Sequence, residues 1–345
     1  MKKLNNREIA SFCAQVAMLQ QAGIAPSEGM RLLLSDAKTE EAKKIYEKIL
    51  ETCSKGEPFY AGVESCQVFP EYVLHMIKLG EESGNLDDVM NNLASYYERE
   101  EEISDSIRSA ISYPFIMIAM MFIVIIVLIT KVLPIFNQVF IQLGSEMTGF
   151  SASLLHLGKQ INAYSFVFLG LLILAVLLYF YATKTTSGKQ YSRKVLYKLP
   201  VAKGLYDSIA AGRFASGMAL TLASGMDTYR SLDLVAQLVE NDAIREKIAF
   251  CKQALLQGSN LSEAIGEAGI FSNFHTRMIA VGFRTGSTDV VMNKIADNYN
   301  KEATSKLSSL ISILEPTLVI ILSLIVGLIL LSVILPLMGI MSSIG

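Results

Sequence analysis

Histidine is scarce in this 345-residue chain, which has only His75, His156 and His275. None of them joins acids or cysteines in a ligand set of zinc-type spacing, so no metal is expected. Cysteine is nearly as scarce, at Cys13, Cys53, Cys66 and Cys251, and no CxxC pair occurs. Small buried thiols are the expected reading, in segments where thiols stay reduced. There is no GxxxxGK[ST] loop to cradle phosphates, no HExxH and no GxSxG. Catalytic, cofactor-binding and metal-binding residues are therefore expected to number none. No alternation of apolar and polar residues persists, and no Asn-Gly or Asp-Gly hairpin signal is present, so the fold class is all-α.

Charge is thin as well. Charged residues make up 18% of the chain and hydrophobic residues 52%. The apolar excess is concentrated in three windows, 109–130, 160–183 and 316–345. Each holds the roughly 20 apolar residues that a bilayer-crossing helix requires. Their midplanes carry almost no ionisable groups, which argues against an ion or solute pathway. Lys131 and Glu315 sit at the ends of such windows rather than inside them. The start, MKKLNNREIASFCAQ, is broken by Arg7 and Glu8 and does not read as a signal peptide.

The chain also repeats itself. A gapless shift of 202 positions lays residues 10–134 on 212–336. Gly23 falls on Gly225, Gly80 on Gly282, Gly84 on Gly286 and Pro114 on Pro316. Turn residues held in constant register are far harder to match by chance than helical filler. Each copy is a polar helical stretch feeding an apolar segment.

Charge sets the expected orientation. Between Lys184 and Lys203 lie six basic residues and no acid, among them Lys189, Arg193 and Lys194. The stretch 134–160 has one basic residue, Lys159, and one acid, Glu146. The basic side stays inside. The reading is a cytoplasmic helical domain at 1–110, a membrane helix at 111–133 and a short external loop at 134–160. A return helix at 161–183, a second cytoplasmic domain at 184–314, a third membrane helix at 315–338 and an external end at 339–345 complete it. The return helix has no repeat partner and brings both domains to one side.

In the second copy, helices are expected near 207–224, 228–239, 241–257, 272–281 and 288–314; the first copy follows the same plan. The acidic run Glu98-Arg99-Glu100-Glu101-Glu102, followed by Asp105, reads as a solvated stalk face. The alternative is a contact for a basic surface. The second copy has Lys301, Glu302 and Lys306 there instead.

Three patterns carry a family resemblance. One opens each copy, FCAQVAMLQQAGIAPSEGMRLL and FASGMALTLASGMDTYRSLDLV. Another is LGEESGNLDDVMNNLASYYERE against VGFRTGSTDVVMNKIADNYNKE. The third is the pair Tyr113-Pro114 and Glu315-Pro316. With the order domain, helix, helix, domain, helix, they make nearly the whole chain resemble the type II secretion system protein F family. The resemblance implies a non-enzymatic platform in the bacterial cytoplasmic membrane, without cofactors. It implies as partners a hexameric assembly ATPase, pilins or pseudopilins, other inner-membrane assembly proteins and further copies of the chain, with no nucleic acid bound directly. Gly23, Gly80, Glu81, Gly84, Pro114, Gly225, Gly282, Gly286, Glu315 and Pro316 are the motif positions. Glu81, Glu82, Lys189, Arg193 and Lys194 are the candidates for a partner contact. The chain departs from the pattern where Phe283-Arg284 replaces the acidic pair Glu81-Glu82, so any role that needs both acidic loops is in doubt. A transporter or sensor subunit is the competing class, and a membrane enzyme ranks below it.

Overall fold

A computed structural model describes residues 3–142 and 200–344. The expected return helix, most of the expected external loop and the basic positions Lys189, Arg193 and Lys194 lie outside the described residues.

Among the described residues the fold is entirely helical. The first copy runs α1 (Asn6–Gln21), α2 (Pro26–Ser35), α3 (Glu40–Ser54), α4 (Phe59–Ser65), α5 (Glu71–Ser83) and α6 (Leu86–Val127). A π-helical turn at Leu128–Val132 leads to α7 (Leu133–Gln142). The second copy runs α8 (Pro200–Ala223), α9 (Thr228–Leu238), α10 (Asp242–Leu256), α11 (Leu261–Ala268), α12 (Asn273–Thr285) and α13 (Thr288–Ile344). The starts of α2 to α6 lie 202 positions before those of α9 to α13. The repeat seen in the sequence is thus a repeat of helix boundaries.

Local signals account for those boundaries. Asn5 caps α1 in a reciprocal box: Glu8 N–H donates to Asn5 Oδ1 at 2.8 Å, and Asn5 N–H donates to Glu8 Oε2 at 2.7 Å. At the end of α5, Gly84 takes φ +75°, and the Asn85 N–H reaches back to the Gly80 carbonyl at 2.9 Å. Gly286 does the same in the second copy at φ +70°, with Ser287 N–H on the Gly282 carbonyl at 2.9 Å. This six-to-one closure needs a left-handed residue, which glycine supplies without a side-chain penalty. Gly80 and Gly282 have a different role. A Cβ added at Gly80 would come within 3.0 Å of Val89, and one at Gly282 within 2.8 Å of Val291. Both glycines let the next helix pack directly on the turn.

Two short helices escape the periodicity of the sequence, α4 and α11. At 7 and 8 residues they are too brief to show an apolar stripe. Helix α7 also continues beyond the expected end of the first membrane helix, across the π turn that precedes Pro134. Pro134 has no N–H to give the preceding turn, a common setting for such irregularity.

The described chain divides into two compact units, residues 1–105 with 203–305 and residues 106–202 with 306–345. The first unit contains the helical bundles of both copies. In copy one, Phe12 packs on Phe69 with ring centroids 4.9 Å apart; in copy two, the equivalent Phe214 and Phe271 are 5.7 Å apart. The buried core of copy one also takes in Leu220 and Leu234 from copy two, so the bundles share an apolar boundary.

The second unit contains the apolar ends of α6 and α13. Ile116, Met120, Ile123, Ile320, Leu324 and Leu331 are exposed. A soluble surface does not carry so dense an apolar band, whereas a lipid-facing one does. Both helices are long and apolar enough to cross a membrane.

Candidate functional site

The acidic loop after α5 is occupied from within. Glu81 accepts from two backbone groups at the start of α4, Phe59 N–H to Oε1 at 2.6 Å and Tyr60 N–H to Oε2 at 2.8 Å. The residue before α4 is Pro58, which offers no side-chain cap. Glu81 therefore performs from 21 residues away the capping that Pro58 cannot. Its carboxylate also suits the positive end of the helix. Glu82, by contrast, is exposed and lies 4.0 Å from Lys78.

The second copy solves the same problem locally. Asn260 stands where copy one has Pro58, and it caps α11 in a reciprocal box with Glu263. With that cap in place no acid is needed from α12, and the position equivalent to Glu81 is Phe283, which is exposed. At Phe283 no capping acid is required, because Asn260 supplies the cap of α11.

The acidic run before the membrane is not a solvated stalk throughout. Glu98, Glu102 and Asp105 are exposed, but Glu100 is buried. It grips Arg213 of α8, whose Nε lies 2.9 and 2.8 Å from its two carboxylate oxygens and whose Nη2 lies 2.6 Å from Oε2. The side chains are only 10% and 17% exposed. Arg213 also reaches Glu240 at 3.4 Å. Burial works against the Arg213 charge, but the Glu100 carboxylate outweighs it and raises the guanidinium above its usual range. One residue earlier, Arg99 pairs with Asp297 of α13 at 2.9 Å and donates to Asn293 at 3.2 Å. Arg7 lies 2.9 Å from Asp105 and 3.6 Å from Glu101. The basic surface that this run meets is thus largely its own chain.

Cys13, Cys66 and Cys251 are buried and Cys53 half-buried, all as free thiols. Burial pushes each thiol up, Cys251 to about 12, so none is a ready nucleophile. His275 is drawn down by partial burial, against the pull of Glu302. Among the described residues no group of three or more His, Cys, Asp or Glu is arranged to hold a metal ion.

In the second unit, Tyr113 Oη donates to Glu315 Oε1 at 3.0 Å. Pro114, Met117, Leu314 and Leu318 line the crevice beside this bond. Pro114 of copy one and Glu315 of copy two therefore meet here.

The family model described as "Type II secretion system (T2SS), protein F" matches the chain twice, at residues 12–134 and 214–336. The chain belongs to the type II secretion system protein F family. Among curated relatives, it is 28% identical over 342 residues to "Type IV pilus assembly protein PilC" of Myxococcus xanthus, covering 99% of this chain and 82% of that one. It is 29% identical to the protein of the same name in Thermus thermophilus, covering 98% and 84%. It is 24% identical to "Type II secretion system protein F" of Aeromonas hydrophila, covering 96% and 86%.

Each match to the protein F model spans one bundle and the apolar segment that follows it. The motif glycines build equivalent turns inside each copy, and the Tyr113–Glu315 pair joins the two. Reasoning from the sequence missed Arg213, Glu240 and Asp297, since nothing in a one-dimensional pattern marks an ion pair between residues 113 apart. For α11 a signal existed, because Asn260 and Glu263 have the spacing of a capping box. For α4 there was none, because its cap comes from another helix.

Proposed function

We propose that this protein is a non-enzymatic platform in the bacterial cytoplasmic membrane. It couples a cytoplasmic assembly ATPase to the addition of pilin or pseudopilin subunits to a filament. Both bundles lie on the cytoplasmic side in this reading, with the N-terminus inside and the C-terminus outside. Relatives named for type IV pilus assembly and for type II secretion support a place in this class of machine.

The observation that carries the reading is the seam between the copies. Two bundles that could have been independent are joined by a buried, bidentate Glu100–Arg213 pair. Such a pair fixes one relative arrangement, because any other leaves a buried charge unpaired. A body of that kind can take a push from a motor and pass it on through the chain into α6 and α13. The loops near 80–88 and 282–290 and the basic stretch 184–203 are the proposed docking regions for the motor.

Deletion of the gene tests this. Filament assembly should stop while prepilin processing continues. Normal filaments in the deletion strain, or ATP hydrolysis by the purified chain alone, would refute it.

A further inference from the structure

The two long helices carry a proline at the same place. Pro114 lies inside α6 and Pro316 inside α13, each where the apolar stretch begins. Neither helix stops there: α6 continues to Val127 and α13 to Ile344. A proline inside a helix has no N–H for the carbonyl four residues earlier, and its ring presses on that carbonyl. Each helix therefore loses one rung, at the carbonyl of Ala110 in α6 and of Ser312 in α13. Sharp bends in long helices arise at such places. In α13 the Thr317 hydroxyl also donates to the Ile313 carbonyl at 2.7 Å, a bond of the kind that bends helices.

The two prolines face opposite ways. Pro114 lines the crevice between the helices, beside Met117. The crevice side of α13 is made by Ile311, Leu314, Glu315 and Leu318. Their three- and four-residue spacing puts these four on one side of α13, and Pro316 falls on the other. Pro316 is exposed. A helix relieves the clash by bending away from the proline ring. Helix α6 thus bends away from α13, and α13 bends toward α6. The helices touch where each enters its apolar stretch, so they run in the same direction. The two bends therefore have the same sense, and one follows the other.

The residues just before the prolines are the ones that are bonded. Tyr113 Oη donates to Glu315 Oε1 at 3.0 Å. An ionised acceptor makes such a bond stronger than one between neutral groups. It ties the helices together at one level, one residue before each bend. While it holds, neither helix turns about its bend without the other. Once it is broken, only apolar side chains remain across the crevice.

We infer that Pro114 and Pro316 are paired hinges, and that the Tyr113–Glu315 hydrogen bond is the latch that makes α6 and α13 bend as one. The device lies within the second unit and stands whether or not the chain serves a filament machine.

The test uses the full chain in phospholipid nanodiscs, with Cys53→Ser removing the one thiol that is not buried. Spin labels at Ile123→Cys and Leu324→Cys report the stretches beyond the hinges. Labels at Glu102→Cys and Lys301→Cys report the stretches before them. All four positions are exposed. Pulsed electron paramagnetic resonance reads the distance distribution of each pair. Tyr113→Phe removes only the donor hydroxyl. It should broaden the 123–324 distribution and leave the 102–301 distribution unchanged. Adding Pro114→Ala and Pro316→Ala should abolish the broadening, because continuous helices have no hinge to release. An unchanged 123–324 distribution in Tyr113→Phe overturns the latch. Broadening that persists without the prolines overturns the hinges, since the bond then acts on packing alone. Broadening of the 102–301 pair overturns both, because the disturbance then lies in the bundles. Helical content checks folding; if Tyr113→Phe fails to fold, Glu315→Leu takes its place.

Discussion

Tyr113 and Glu315 are the same position in two copies of one repeat, and they are hydrogen-bonded to each other at 3.0 Å. Residues related by a duplication touch their own equivalents only near an axis that exchanges the copies. At this level α6 and α13 are therefore paired symmetrically. The bundles in the other unit are not, since copy two buries Leu220 and Leu234 while copy one leaves Met18 and Leu32 bare. Duplication supplied the same parts twice, and the two units combine them by different rules.

The symmetric pair predicts that its residues can be exchanged. Tyr113→Glu alone sets two carboxyls together, and Glu315→Tyr alone removes the acceptor. Each should lower stability, because a hydrogen bond is lost. The double exchange restores a tyrosine–glutamate pair and should return to wild type. Unfolding of the full chain in mixed micelles measures all three, and an additive double variant would disprove the symmetric contact.

The buried ion pair predicts an asymmetry between breaking and replacing. Arg213→Ala leaves Glu100 buried without its partner and should cost about 3–5 kcal/mol. Replacing both residues with apolar ones of similar size should be close to neutral. Thermal unfolding of the full chain checks this; a mild effect for Arg213→Ala would mean that the pair is solvated.

The caps predict unequal roles for equivalent residues. Glu81→Ala should destabilise copy one by about 1 kcal/mol through loss of the α4 cap. Asn260→Ala should do the same for α11, and adding an acid by Phe283→Glu should gain little while Asn260 remains. Denaturant midpoints of the three variants decide it.

One residue predicts a gain. Gln67 holds a left-handed backbone at φ +57°, where the second copy has Gly269 at φ +60°. A side chain in that region costs roughly 1–2 kcal/mol, part of which glycine returns through greater freedom in the unfolded chain. Gln67→Gly should therefore stabilise the protein by up to about 1 kcal/mol, seen as a higher melting temperature.

Much of this architecture was legible in one dimension. The shift of 202 placed the turns because Gly84 and Gly286 must be left-handed and Gly80 and Gly282 must be bare of side chains. These are local demands of the backbone, and local demands leave a mark in sequence. The apolar stretches of α6 and α13 were legible for the same reason, since each residue along them must individually suit lipid. What the sequence could not decide was which surfaces meet. Glu100 has the same composition signature whether it faces water or Arg213, and Glu81 looks equally free whether or not α4 lies within its reach. Leu220 and Met18 are interchangeable by pattern, yet one is buried and the other is exposed. Burial and ion pairing depend on residues brought close by the chain's path rather than by their spacing, so only the tertiary structure assigns them.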